Sequence, residues 1–229
     1  MKRFPLAWIV VAAIVAAVPA FAGTAQFGIG VFGGYNTYSM NDVNDDINST
    51  NDAYGTAIDE MSGGVGFGGG LRIRTSPALS FSLDYERLNS STETSGTDGT
   101  TSYDVNFDLP ANALVASATY FFPSASKTRF GVTGGIGYYK ADGNLELTVD
   151  DGVTPITVAG DASASGVGFH GGGSLDVSLS PVAHFEAMAG YRVAKTGNLE
   201  VDGTEIPDYA AEYSGFMSRA GFSFFFGSH

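Results

Sequence analysis

The chain has 229 residues and carries 24 Asp and Glu against 11 Lys and Arg, a formal charge of −13 at pH 7. That balance excludes a nucleic-acid binder, which needs a basic patch to meet phosphate. An aromatic content of 13% excludes a disordered polymer despite 32 glycines, and with no cysteine the fold is held by something other than disulfides. One all-β domain suits the length.

The N-terminus reads as an export signal. Lys2 and Arg3 precede an apolar stretch of 13 residues over 6–18, and Ala20-Phe21-Ala22 is a small-x-small cleavage site. A spanning helix needs about 20 apolar residues, so the stretch is too short for an anchor. The expected organisation is a signal peptide over 1–22 and one domain over 23–229, starting at Gly23. Later in the chain there is no apolar run of spanning length, so membrane insertion requires a closed barrel.

After Gly23 the pattern is alternation, a period of two that marks strands. Strand one sets Phe27, Ile29, Val31 and Tyr35 against Gln26, Gly28, Gly30 and Asn36, with Phe32 breaking the polar face. Strand two sets Val65, Phe67, Leu71 and Ile73 against glycines, Arg72 and Arg74. Strand three sets Leu79, Phe81, Leu83 and Tyr85 against Ser80, Ser82, Asp84 and Glu86. Strand four places Leu114, Ala116, Ala118, Tyr120 and Phe122 on one face. Strand five sets Phe130, Val132, Ile136 and Tyr138 against Arg129, Gly131, Thr133 and Gly137. Strand six sets Val167, Phe169, Leu175 and Val177 against His170, Ser174 and Asp176. Strand seven sets Phe185, Ala187, Ala189, Tyr191 and Val193 against His184, Glu186, Met188 and Arg192. Strand eight sets Phe216, Ala220, Phe222, Phe224 and Phe226 against Met217, Arg219, Gly221 and Ser223.

A soluble barrel such as a lipocalin also alternates, but with its apolar face inward. The connections separate the two. Turns near 75–78, 123–127 and 180–183 are short, whereas 37–62, 88–103, 141–165 and 195–212 are long and polar, the membrane-barrel pattern. Tyr35, Tyr85, Tyr120, Tyr138 and Tyr191 stand on the apolar face toward strand ends, as an interfacial girdle requires.

The last strand, Arg219-Ala-Gly221-Phe-Ser-Phe224-Phe-Phe226, resembles the assembly signal that ends outer-membrane barrels: polar, x, Gly, x, x, aromatic, x, aromatic. It departs from that pattern in the Gly227-Ser228-His229 that follows. Over residues 23–226 the chain resembles small OmpA/OmpX-type barrel domains, and its size also suits OmpW-like barrels. The resemblance implies an all-β fold: an eight-stranded antiparallel transmembrane β-barrel with short periplasmic turns and long extracellular loops. It further implies location in the cell outer membrane as a monomer, outer-membrane lipid around the wall, and the barrel assembly machinery as a partner during biogenesis.

Several motifs carry no chemistry in this setting. Three G-x-G-x-x-G matches, at 28–33, 64–69 and 166–171, lie within alternating strands rather than before a helix that would receive a pyrophosphate. Asp42-Val-Asn44-Asp-Asp46 begins like a calcium loop but has Ile47 where glycine is required and Ala53 where glutamate is. Met40, Val43 and Ile47 follow helical spacing instead. His170 and His184 fall on the lumen face, unlike the catalytic His of lipid-facing deacylases. They read as hydrogen-bond partners, so no catalytic residue, metal site or cofactor is expected.

Five of seven arginines fall on the polar face: Arg72, Arg74, Arg129, Arg192 and Arg219, with Asp84, Glu86, Asp176 and Glu186. Hairpin register sets Arg72 diagonal to Asp84, Arg219 diagonal to Glu186, and Arg129 beside Asp176. Charges withdrawn from water must pair, and an eight-stranded barrel is only wide enough for its own side chains. The expectation is a salt-bridged plug in a non-enzymatic protein with a structural or surface-display role, its acidic loops able to meet a partner or cations. The alternatives are a narrow conduit for small solutes and a lipid A-modifying enzyme.

Overall fold

The computed structural model describes residues 25–54, 57–98, 101–150 and 156–226. The expected signal peptide and the 227–229 tail lie outside them. Eleven strands and one helix occur among the described residues: β1 (Gln26–Thr37), α1 (Asn41–Tyr54), β2 (Gly63–Ser76), β3 (Leu79–Leu88), β4 (Ser91–Asp98), β5 (Thr101–Asp108), β6 (Ala111–Phe121), β7 (Thr128–Asp150), β8 (Ile156–Ser178), β9 (Ala183–Val201), β10 (Thr204–Glu212) and β11 (Gly215–Phe226).

Eight strands close the wall, in the order β1–β2–β3–β6–β7–β8–β9–β11, with β11 returning to β1. Every pairing is antiparallel, and closure leaves no unpaired edge within the barrel. The segments expected as long loops are mostly strand. β7 and β8 run on together for 23 residues each, the β4–β5 hairpin pairs onto the upper half of β7, and β10 pairs back onto β9. The β9–β10 turn places Asp202 and Gly203 at φ 50° and 76°, two consecutive left-handed residues, as a type I′ hairpin turn demands.

Why polar sequence continues as strand is visible in β7. In its first half Phe130, Val132 and Tyr138 face outward and are exposed, while Thr133 is buried. From Tyr139 onward the faces exchange character: Tyr139 and Ala141 are buried, and Lys140, Asp142, Asn144 and Glu146 are exposed. The alternation never loses phase; only the polarity of each face changes. β8 makes the same exchange, with Ala162 and Ala164 buried above and His170 and Asp176 buried below. The barrel is therefore apolar outside along a belt and apolar inside above it.

The upper interior is a true hydrophobic core. Leu88, Leu109, Ala111, Ala141, Leu199 and Tyr213 pack with Met40, Val43 and Met61. Helix α1, expected from the spacing of Met40, Val43 and Ile47, packs on this mouth, with Ile47 at the edge of the cluster. Asn44 fixes the helix to the following segment: its Oδ1 accepts from Met61 N at 2.8 Å and its Nδ2 donates to Met61 O at 3.3 Å. Asp42 accepts from Ala210 N at 3.0 Å, tying α1 to β10. Tyr213 spans the core and donates to Leu109 O at 2.7 Å. At the outer edge, burial and then the nearby Asp46 and Asp42 carboxylates push the Tyr209 phenol upward.

Candidate functional site

Below that core the inward faces of the eight wall strands carry charge. Three groups stack along the axis. Nearest the short turns, Asp176 is fully buried and accepts from Arg74 Nη2 at 2.9 Å and Arg129 Nη2 at 2.8 Å. His184 Nδ1 lies 3.2 Å from the same carboxylate, and its Nε2 faces Arg74 Nη1 at 3.4 Å. Arginine only donates, so Nε2 is the acceptor and Nδ1 carries the hydrogen toward Asp176.

At mid-height Asp84, also fully buried, meets Arg72 Nη1 at 2.5 Å and Arg219 Nη1 at 3.5 Å. Arg72 also donates from Nε to Glu186 at 3.2 Å, and Ser223 donates to Glu186 at 2.6 Å. Highest, Arg192 Nη2 donates to both oxygens of Glu86 at 2.9 Å. Arg192 is 2% exposed, and its Nε and Nη1 find no hydrogen-bond partner.

All nine charged residues singled out in the sequence thus face the lumen, and the register-based pairs hold in part. Arg72 meets Asp84 and Arg129 meets Asp176. The pairing of Arg219 with Glu186 does not form: Arg219 reaches Asp84, and Glu186 is occupied by Arg72 and Ser223. The physical reason is the narrowness of the barrel. Inward side chains reach across the lumen, so β2 bonds to β8 and β9, β9 to β3, and β11 to β3.

The aromatic partners of these arginines are not part of the charge pattern. Arg74 stacks on Phe225 at 4.1 Å, Arg129 on Phe121 at 4.5 Å, Arg219 on Phe32 at 4.8 Å, and Arg192 lies 5.4 Å from the Tyr139 centroid. A desolvated guanidinium over a ring gains up to about 2 kcal/mol. The sequence signal is an aromatic on the wrong face beside one on the right face: Phe121 before Phe122, Tyr139 after Tyr138, Phe225 between Phe224 and Phe226.

The other lumen wall is hydroxylated. Thr119, Thr133 and Ser174 form a chain with oxygens 2.7 and 2.5 Å apart, and Ser117 lies 3.2 Å from His170 Nε2. Between this wall and the charges is a cavity of ≈ 50 Å³, lined by Arg72, Arg219, Glu186, Ser82 and Thr133 among others. Inward glycines make the room: a Cβ on Gly30 would meet the Arg72 guanidinium at 2.8 Å, and one on Gly135 would run into the His170 ring.

Among the described residues neither lumen histidine completes a Ser–His–acid set. The Ser117–His170 pair has no acid on Nδ1, which is unpartnered, and His184 has its acid but faces Arg74 rather than a hydroxyl. Among the described residues no three His, Cys, Asp or Glu side chains are grouped to hold a metal ion.

On the outside, Phe224 and Phe226 face away from the lumen and pair with Ile29 and Phe27 of β1, on the seam where the last strand meets the first. Gly221 faces inward, where a Cβ would run into the Val31 carbonyl oxygen and the Phe32 backbone. Arg219, the polar start of the motif, lies over the Phe32 ring.

Comparison with known proteins places this geometry. A family model described as outer membrane protein beta-barrel domain matches residues 8–228. Among solved structures, a major outer membrane protein from Thermus thermophilus is 13% identical with a TM-score of 0.49, covering 89% of this chain and 100% of its own. OprG from Pseudomonas aeruginosa is 12% identical with a TM-score of 0.45, covering 89% and 96%. Neisserial surface protein A is 16% identical with a TM-score of 0.39, covering 88% and 96%. No curated protein gives a significant sequence match.

Proposed function

The chain belongs to the outer membrane protein beta-barrel domain family, and on that premise we propose that it is a non-enzymatic, closed barrel whose structural role is to hold its sheet-and-helix rim at the cell surface. It resides in the outer membrane. The exposed belt of Phe27, Ile29, Val31, Leu71, Phe130, Val132 and Phe222 meets lipid, and the rim of β4, β5, β10 and α1 projects outside the cell, with the short turns in the periplasm.

The observation that carries the reading is the burial of the lumen charges. Asp84, Asp176 and Arg192 are almost wholly withdrawn from solvent and paired across the axis, and the apolar core lies directly above them. A pathway for hydrated ions would leave such groups wet. The cavity between the charges and the hydroxylated wall, at ≈ 50 Å³, holds a few waters rather than a file of them. Breaking one side of such a pair costs about 3–5 kcal/mol, which makes the network a fastening for the barrel.

The acidic rim, with Asp42, Asp45, Asp46, Glu200, Asp202, Glu205 and Asp208, is the surface offered to a partner. The last-strand motif serves recognition by the assembly machinery, and the 1–22 segment directs export. The test is solute release from liposomes holding the purified barrel, together with mass analysis of lipid A from expressing cells. Retained solute and unmodified lipid A are expected. Release of small solutes favours the conduit, and a change in lipid A mass favours an enzyme.

A further inference from the structure

Beyond residue 24 the chain has four Lys or Arg that do not face the lumen: Arg87, Lys127, Lys140 and Lys195. Lys127 lies in a short turn. The other three stand on the outer wall near the top of the apolar belt on β3, β7 and β9, with Lys195 in the row of Val167 and Tyr138, one row beneath Lys140. Two of them share a cross-strand row. Arg87 of β3 pairs with Asn112 of β6, and Asn112 pairs with Lys140 of β7. Arg87 and Lys140 are therefore two strands apart, about 10 Å between backbones. Directly beneath is the row Tyr85–Leu114–Tyr138, with both tyrosines exposed on the outer face.

The polar contacts in this row leave Arg87 available. Tyr85 Oη donates to Asn112 Oδ1 at 2.6 Å, and Arg87 Nη1 reaches the same oxygen at 3.4 Å. Among the described residues Arg87 has no ion pair. Lys140 donates to Asp142 at 2.6 and 2.9 Å, an exposed pair of small worth. Arg87, Lys140 and Asp142 together leave one positive charge at the boundary of the apolar belt, on a protein of formal charge −13.

Below this row the outward side chains of β6 are small. β6 presents Ala116 and Ala118 outward, between Leu83 and Ile136 at one level and between Phe81 and Gly134 at the next. Tyr120, stacked edge-on against Phe122 at 5.9 Å, follows them on the same face. Two cations above an apolar face with two small residues between larger ones suit the head and one chain of an anionic lipid.

We infer that the outer face of β3, β6 and β7 is a binding site for a membrane lipid with a phosphate headgroup. The phosphate sits between Arg87 and Lys140 over Asn112, and an acyl chain lies along Ala116 and Ala118. The guanidinium supplies paired N–H donors suited to phosphate, and the ammonium supplies a point charge. Asp142 opposes the site by holding Lys140. Lys195 has no second cation in its row and sits 3.9 Å from Asp42, so it takes no part.

The test uses the full-length folded barrel in neutral detergent, titrated with phosphatidic acid and read by native mass spectrometry. Heat-modifiable mobility verifies that each variant is folded. The double variant R87Q/K140Q is expected to retain phosphatidic acid at least about tenfold less than wild type, whereas K195Q matches wild type and D142N retains more. A118F, which puts a bulky ring on that face without touching a charge, is expected to weaken phosphatidic acid binding as well. Phosphatidylcholine should bind wild type and R87Q/K140Q equally weakly, and inorganic phosphate should not displace the lipid. Equal retention of phosphatidic acid by wild type and R87Q/K140Q overturns the inference. So does displacement by inorganic phosphate together with an unaffected A118F, which indicates an ion site only.

Discussion

The lumen and the mouth of this barrel are built by the same strands on the same inward face, yet one is a charge network and the other a hydrophobic core. In β7 the boundary falls between Tyr138, the last outward apolar residue, and Tyr139, the first inward residue of the core. What changes there is the solvent outside. Along the belt the wall faces hydrocarbon, so apolar residues stand outward and the interior carries paired charge. Above the belt the wall faces water, and the ordinary arrangement returns, with Leu88, Leu109 and Tyr213 inside. The sheet needs no break to make this exchange, because alternation supplies two faces and only their composition is altered.

The two regions should fail differently when damaged. The wall they share is the most sensitive part. Replacing Phe224 and Phe226 together with serine removes both outward aromatics at the closing seam and is expected to abolish assembly, leaving only trace barrel in purified outer membranes. Wild-type levels of the double variant would show that the motif is dispensable.

Within the assembled barrel, the lumen is expected to give the larger loss. Asp176→Ala leaves Arg74 and Arg129 facing one another with no carboxylate, costing about 3–5 kcal/mol. Urea titration in lipid vesicles should show the whole barrel unfolding at a lower midpoint, and an unchanged midpoint would mean water already reaches Asp176. In the mouth, Leu109→Ala removes a fully buried side chain and should cost about 2–4 kcal/mol, but locally. Hydrogen exchange is expected to quicken in α1 and β10 while protection in β1, β2 and β11 stays the same. Faster exchange along the whole wall would join the two regions into one cooperative unit.

The smallest effect sharpens the division inside the lumen itself. Glu186 borders the cavity, its side chain 26% exposed, unlike Asp84 and Asp176. Glu186→Gln keeps an acceptor for Ser223 and leaves Arg72 with Asp84, so a loss of about 1 kcal/mol is expected. A drop as large as that of Asp176→Ala would show that the cavity is dry.

Alternation alone made the eight wall strands and the inward charges legible, because a period of two assigns faces without knowledge of partners. The partners themselves were not legible. Hairpin register sees only adjacent strands, whereas Arg192 of β9 finds Glu86 across the lumen on β3, and Arg219 crosses to Asp84 rather than settling beside Glu186. The long polar segments misled for a related reason. Glu146, Thr148 and Asp150 look like loop when polarity is taken as the signal, yet they keep the phase of β7, which stays paired with β8 as far as Val149. Met40, Val43 and Ile47 were readable as helix because their period differs from that of everything around them.

Planar-bilayer recording of the wild-type barrel tests most directly whether the paired charges close the lumen. A silent membrane at all applied voltages is expected once insertion is verified by heat-modifiable mobility. A steady ohmic conductance would contradict it, because ions would then be passing Asp84, Asp176 and Arg192.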